Sequence, residues 1–244
     1  GLASAKKLAR HGMNICIVHR DRKSDATEIE KHFSEIRNLK VGFRSFNKDI
    51  LRPDHQKEIL NELKTVLGVN GKIKCLLHSV AKGNLKPMAE QGQGTLSSVD
   101  FSITNQAMAL SLYDWFKMLF DEELMSEDSR VISFTSEGGR RPLKNYAAVS
   151  AAKASLEAIT RNIALEFAPY GIRANCIQAG VTDTASLRMI PDSEELKRLA
   201  LLRNPFERLT TPEDVANVVY LLSLPEAGWI NGSIIPVDGG EHIS

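Results

Sequence analysis

Six short apolar runs alternate with amphipathic helical patterns along 244 residues, and this alternation restricts the fold more than any other feature. The runs lie at 13–19, 41–46, 73–78, 131–134, 172–177 and 233–237. Between them, helical spacing of apolar residues marks 2–12, 24–38, 54–67, 97–121 and 146–168, short pieces between 184 and 202, and 212–223. Strands separated by helices imply βαβ units and a parallel sheet covered on both faces. The expectation is therefore an α/β chain with a single Rossmann-type, doubly wound sheet. No repeat or linker divides it, so one domain over 1–244 is the economical reading.

Bulk properties narrow the function classes. The formal net charge is +1, so no global field argues for nucleic acid or a membrane surface. No apolar run approaches the ~20 residues of a membrane span, and no secretory leader pattern is seen. Cys16, Cys75 and Cys176 each sit in an apolar run. They are expected to be reduced, buried thiols of a cytoplasmic protein, without metal-ligand spacing.

In open parallel sheets, ligands bind beyond the carboxyl ends of the strands, which selects the residues to inspect. After the first run come His19, Arg20 and Asp21, where a dinucleotide presents its adenosine ribose. An acid there suits a free 2′-hydroxyl and an arginine a 2′-phosphate, so Arg20 favours NADPH over NADH and Asp21 complicates the choice. Asp49 and Ile50 follow the second run and suit an adenine. Ser79, Val80 and Ala81 follow the third and let backbone approach a cofactor. Thr135 and Ser136 end the fourth, before Gly138 and Gly139. Gly180, Thr182 and Thr184 follow the fifth and can meet the carboxamide or phosphate end.

A helical pattern then opens near Tyr146 and carries Lys153 seven residues on. Seven positions make nearly two turns, so the two side chains share a face about 10 Å apart along the axis. A phenol there offers a proton and an ammonium offers fixed positive charge. Either could equally be an ordinary surface residue.

Taken together, these fragments resemble the short-chain dehydrogenase/reductase superfamily along essentially the whole chain. Its members begin with a strand and a glycine-rich turn, and Gly1 resembles the last glycine of that turn. The resemblance implies that the first strand and most of the turn are absent from the sequence, and that the natural protein carries roughly a dozen more residues. Most members place a Tyr four residues before the Lys and a Ser thirteen before the Tyr. Here Val149 stands at that Tyr position, while Ser136 keeps the Ser position. Valine cannot donate a proton. The Tyr146-x6-Lys153 spacing instead resembles the enoyl-acyl-carrier-protein reductase branch. Leu77-His78-Ser79, Gly138-Gly139 and the stretch from Lys153 to Ala158 agree with it. Ser136, where many branch members carry a second Tyr, resembles the NADPH-preferring variety.

What the resemblance implies is NADPH-dependent reduction of a trans-2-enoyl thioester of acyl carrier protein, in fatty acid synthesis. Tyr146 would hydrogen-bond the developing enolate oxygen, Lys153 would hold the nicotinamide ribose, and Ser136 would line the pocket. Residues 184–203 would form a mobile lid over the acyl chain. Arg188, Lys197, Arg198 and Arg203 would meet the acidic carrier. A homotetramer or homodimer is implied. Two alternatives stay open: a reductase of the same superfamily acting on a carbonyl such as a 3-oxoacyl thioester, and a non-catalytic NADPH-binding protein. The stretch 83–98 reads as a loop.

Overall fold

Two compact units make up the chain, residues 1–72 and 73–244. The computed structural model describes residues 1–89 and 94–244, so part of the expected 83–98 loop, residues 90–93, lies outside the described residues.

In the first unit, α1 (Leu2–Arg10), β1 (Ile15–His19), α2 (Ala26–Arg37), β2 (Phe43–Asn47) and α3 (Pro53–Leu67) follow the expected order. β1 and β2 pair in parallel, with Ile15 opposite Phe43 and His19 opposite Asn47. Phe33 of α2 fixes the helix on this pair: its ring centroid lies 5.2 Å from that of His19 and 5.1 Å from that of Phe43. Alternation along β1 therefore turns Cys16 away from the α2 face. Cys16 is exposed, which corrects the expectation of a buried thiol; Cys75 is half-buried and Cys176 buried.

The second unit holds a parallel sheet in the order β3-β4-β5-β6, from Ile73–His78, Met125–Ser136, Ile172–Ala179 and Ile234–Val237. Its helices are α4 (Ser98–Asn105), α5 (Ser111–Asp121), α6 (Ala147–Glu166), α7 (Ala185–Arg188), α8 (Ser193–Arg203) and α9 (Pro212–Ser223). Among the described residues, β1 has a strand partner only in β2, and β3 only in β4.

Sequence signals place these elements. Ser97 and Asp100 form a capping box on α4, and Thr211 and Asp214 one on α9, each satisfying two otherwise orphan N–H groups. The helix expected over 97–121 is interrupted by a π-helical turn at Gln106–Leu110. Leu112 and Phe116 of α5, Val131 of β4, Leu156 of α6 and Ile172 and Ala174 of β5 form the core beneath the site.

β4 is far longer than the four residues expected. Its first half carries Asp128, Ser129 and Arg130, which hide the apolar pattern. Arg130 is 1% exposed, yet its Nε donates to Leu222 O at 2.9 Å, its Nη2 to Leu224 O at 3.2 Å and its Nη1 to Asp128. A buried guanidinium is tolerated when its donors are satisfied in this way. No helix among the described residues is long and apolar enough to cross a membrane.

Candidate active site

The carboxyl end of β4 turns sharply into α6, and this turn assembles the candidate catalytic groups. Ser136 ends the strand, Glu137–Gly139 form a 3-10 turn, and Tyr146 caps the N-terminus of α6. Asn145, just before it, lies in the left-handed region at φ 61°, a conformation that Asn tolerates through its short polar side chain. Gly138 faces the phenol ring directly. A Cβ there would lie 2.7 Å from Tyr146 Cε1 and 3.3 Å from Ser136 Oγ. Ser136 and Tyr146 thus both lie against the backbone of Gly138. Burial pushes the phenol above its ordinary range, and the neighbouring Ser136 hydroxyl works the other way. The structure brings together Ser136, Gly138 and Tyr146.

Lys153 is 8% exposed, and its Nζ donates to Phe134 O at 2.6 Å. Its pKa is lowered to about 8 by desolvation, against the raising influence of Cys176 and Glu157. An ammonium has three donors, and Phe134 takes one. Val149 stands one turn before Lys153 on the buried face of α6. It is 4% exposed, and its Cγ2 would lie 2.5 Å from a Cβ built at Gly83. Valine at this position is therefore a packing residue beneath the strand-β3 loop.

The other candidates are placed as follows. After β3, Ser79 and Ala81 are exposed and Val80 half-buried. His78 is buried, its Nε2 2.8 Å from Ser111 Oγ. The Ser111 hydroxyl donates to Ala107 O at 2.8 Å, so its one proton is spent and the ring Nε2–H is the donor to Ser111. Burial first, and the Lys153 charge second, bring His78 down to about 3, which keeps it neutral.

The Thr135 hydroxyl turns into the protein and donates to Glu157 Oε1 at 2.8 Å. Gly180 is required by packing: a Cβ would lie 2.4 Å from Thr210 Oγ1 and 2.8 Å from Asp238 Cβ. Thr182 Oγ1 donates to Gly180 O, and Thr184 caps α7 by accepting from Leu187 N.

In the first unit, two candidates meet each other. Arg20 Nη1 donates to Asp49 Oδ2 at 2.7 Å, and Asp49 Oδ1 accepts from Leu51 N at 3.0 Å. His19 Nδ1 lies 2.6 Å from Asp21 Oδ2. Ile50 O accepts from Gln56 Nε2, and Gly1 precedes α1 as its N-cap.

The expected lid, 184–203, folds as α7 and α8, with Met189 and Leu202 exposed. Its four basic residues are paired. Arg188 meets Asp183, Lys197 meets Glu194, Arg198 meets Glu195, and Arg203 meets Glu137 and Glu241. A cavity of about 360 Å³ lies beyond Glu137, lined by Arg140, Arg141, Gln178 and His242 among others. Neither Tyr146 nor Lys153 lines it.

Sequence reasoning missed Glu157. Its signal was available: it stands one helical turn after Lys153, on the same face of a helix that buries that face.

A family model described as enoyl-(acyl carrier protein) reductase matches residues 1–242. The chain belongs to that family. It is an oxidoreductase family of the short-chain dehydrogenase/reductase superfamily, whose members use a nicotinamide dinucleotide. A 7alpha-hydroxysteroid dehydrogenase of Paraclostridium sordellii is 28% identical over 246 residues, spanning 100% of this chain and 88% of the relative. An NADH-dependent enoyl-acyl-carrier-protein reductase of Bacillus cereus is 36% identical over 122 residues, spanning 50% of this chain and 48% of the relative. The crystal structure of an NADH enoyl-acyl-carrier-protein reductase from Aquifex aeolicus VF5 has the same fold. It has a TM-score of 0.83 at 23% identity and covers 99% of this chain and 91% of the other.

Proposed function

We propose that the protein reduces trans-2-enoyl thioesters with NADPH, with Tyr146 and Lys153 as catalytic residues and Ser136 beside them. One observation carries the reading. Tyr146 is held against Gly138 and Ser136 at the start of α6, while Val149, where carbonyl reductases of the superfamily place their tyrosine, is sealed under Gly83.

The residues fit a nicotinamide dinucleotide. Lys153 keeps two donors beyond the one given to Phe134 O, which suits ribose hydroxyls. Ser79 and Ala81 leave the end of β3 open to approach. Taken by itself, the first unit carries Arg20, exposed and bonded to Asp49, whose positive charge suits a 2′-phosphate, with His19 and Ile50 at the same strand ends. The cofactor, when bound, supplies the hydride.

This chain's own side chains do the rest. The raised Tyr146 phenol keeps its proton at neutral pH and holds it toward the thioester oxygen, where negative charge develops. The Lys153 ammonium, charged below about pH 8, adds positive potential and orients the ribose. The exposed apolar side chains of α7–α8 suit an acyl chain. A carrier-linked substrate, a homotetramer or homodimer, and a place in fatty acid synthesis complete the proposal. Because the lid's basic residues already hold acidic partners, carrier docking requires some of those pairs to exchange.

The test is crotonyl-thioester-dependent NADPH oxidation by the wild type and by Tyr146→Phe. Loss of one oxyanion donor is expected to lower kcat about 10²–10³-fold with the fold retained. Equal turnover by the two proteins would contradict the assignment.

A second reading, carbonyl reduction with Tyr146 as the acid, is favoured by one observation. One relative that spans the whole chain is a hydroxysteroid dehydrogenase, while the enoyl reductase of Bacillus cereus matches half of it.

A further inference from the structure

Two neighbouring residues at the end of β4 are gripped by two residues one turn apart on α6. Lys153 Nζ takes the carbonyl of Phe134, and Glu157 Oε1 takes the hydroxyl of Thr135. Glu157 is 5% exposed, and its Oε2 lies 3.9 Å from Arg140 Nε, at the far end of the same turn. Gly139 fits between the clamps. A Cβ there would lie 3.2 Å from Lys153 Cβ and 3.3 Å from Glu157 Oε1. Everything between Thr135 and Arg140, Ser136 and Gly138 included, is thus tied to α6 through Glu157 at both ends. Tyr146 opens that same helix.

Burying a carboxylate costs free energy unless a charge or several donors answer it. Glu157 has one short hydrogen bond and an exposed arginine at 3.9 Å, so its retention in the core calls for another reason. Lys153 provides it. The groups that face Lys153 electrostatically are His78 from β3, Cys176 from β5 and Glu157 from its own helix. His78 is neutral. The Cys176 thiol is pushed up by burial and stays protonated at neutral pH. Glu157, one turn along the same helix and packed with Lys153 around Gly139, is the acidic neighbour that remains.

We propose that Glu157 is a positioning residue of the site: it locks the 135–140 turn onto α6 and sustains the charge on Lys153. The catalytic consequence rests on the reading of Tyr146 and Lys153 given above, but the structural claim does not.

The experiment follows Lys153 directly, through NMR titration of ¹³C-lysine-labelled protein, with Lys153→Arg identifying the resonance. Glu157→Gln keeps the size and the contact with Thr135 but removes the charge. It is expected to lower the Lys153 midpoint by about one pH unit and to move the alkaline limb of kcat down by the same amount, with KM little changed. A midpoint that does not move overturns the counter-charge role. Thr135→Val keeps the charge and removes the anchor. It is expected to speed amide exchange over Ser136–Arg140 at least about tenfold, and unchanged exchange overturns the positioning role. If the wild type reduces no thioester, the enoyl-reductase reading fails, while titration and exchange still decide Glu157.

Discussion

Lys153 shows how burial sets a working range. Desolvation brings its pKa from an ordinary 10.5 to about 8, so a reaction that needs the ammonium should fade as pH rises through about 8. The stability consequence has a definite sign. Between about pH 8 and 10.5 the unfolded chain still holds the proton that the folded chain has lost, so stability rises with pH across that window. Replacing Lys153 with Met removes this dependence. The melting temperature of Lys153→Met relative to wild type should be most favourable at pH 7 and decline steadily toward pH 10. A constant difference across that range would show that the Lys153 midpoint is not depressed. Tyr146 moves the opposite way for the same physical reason, since burial disfavours whichever form is charged.

The turn from β4 into α6 is the element on which the account depends. Gly138 presses its backbone on the Tyr146 ring, so Gly138→Ala must displace the phenol. Turnover is expected to fall about 10²-fold, while stability changes by only about 1–3 kcal/mol; denaturant unfolding beside steady-state kinetics separates the two. This element was half legible in the sequence. The glycines, the seven-residue Tyr–Lys spacing and the helix start near 146 were all readable, because turn residues and helical period are local signals. The full length of β4 was not, because Ser129 and Arg130 look like solvent-facing residues until Ile73 and Ser126 accept from the serine and Leu222 and Leu224 from the arginine. Nor were the side-chain pairings. Thr135 and Glu157 stand 22 residues apart and Lys153 and Phe134 stand 19 apart, so only the packed helix reveals that Thr135 turns inward. Gly180 was readable as a special position, but its reason, the approach of Thr210 and Asp238, lies in distant segments.

Across the whole molecule, the order of strands and helices was set by periodicity and matches the structure nearly element for element. Cys16 departs from it, because an apolar run does not say which face of a strand will be covered. With a net charge of +1 and the lid's basic residues paired, the molecule offers no broad field to steer a substrate. On the proposed reading, substrate choice falls to the groups around Tyr146, and Val149 is what separates the two reductase readings. The measurement that tests this most directly is NADPH oxidation with crotonyl and acetoacetyl thioesters compared side by side on the wild type. The account predicts a kcat/KM for the crotonyl thioester at least about 10²-fold above that for the acetoacetyl thioester, the range one missing transition-state donor typically commands. Preference for the acetoacetyl thioester would contradict it and make the protein a carbonyl reductase that works without a tyrosine at position 149.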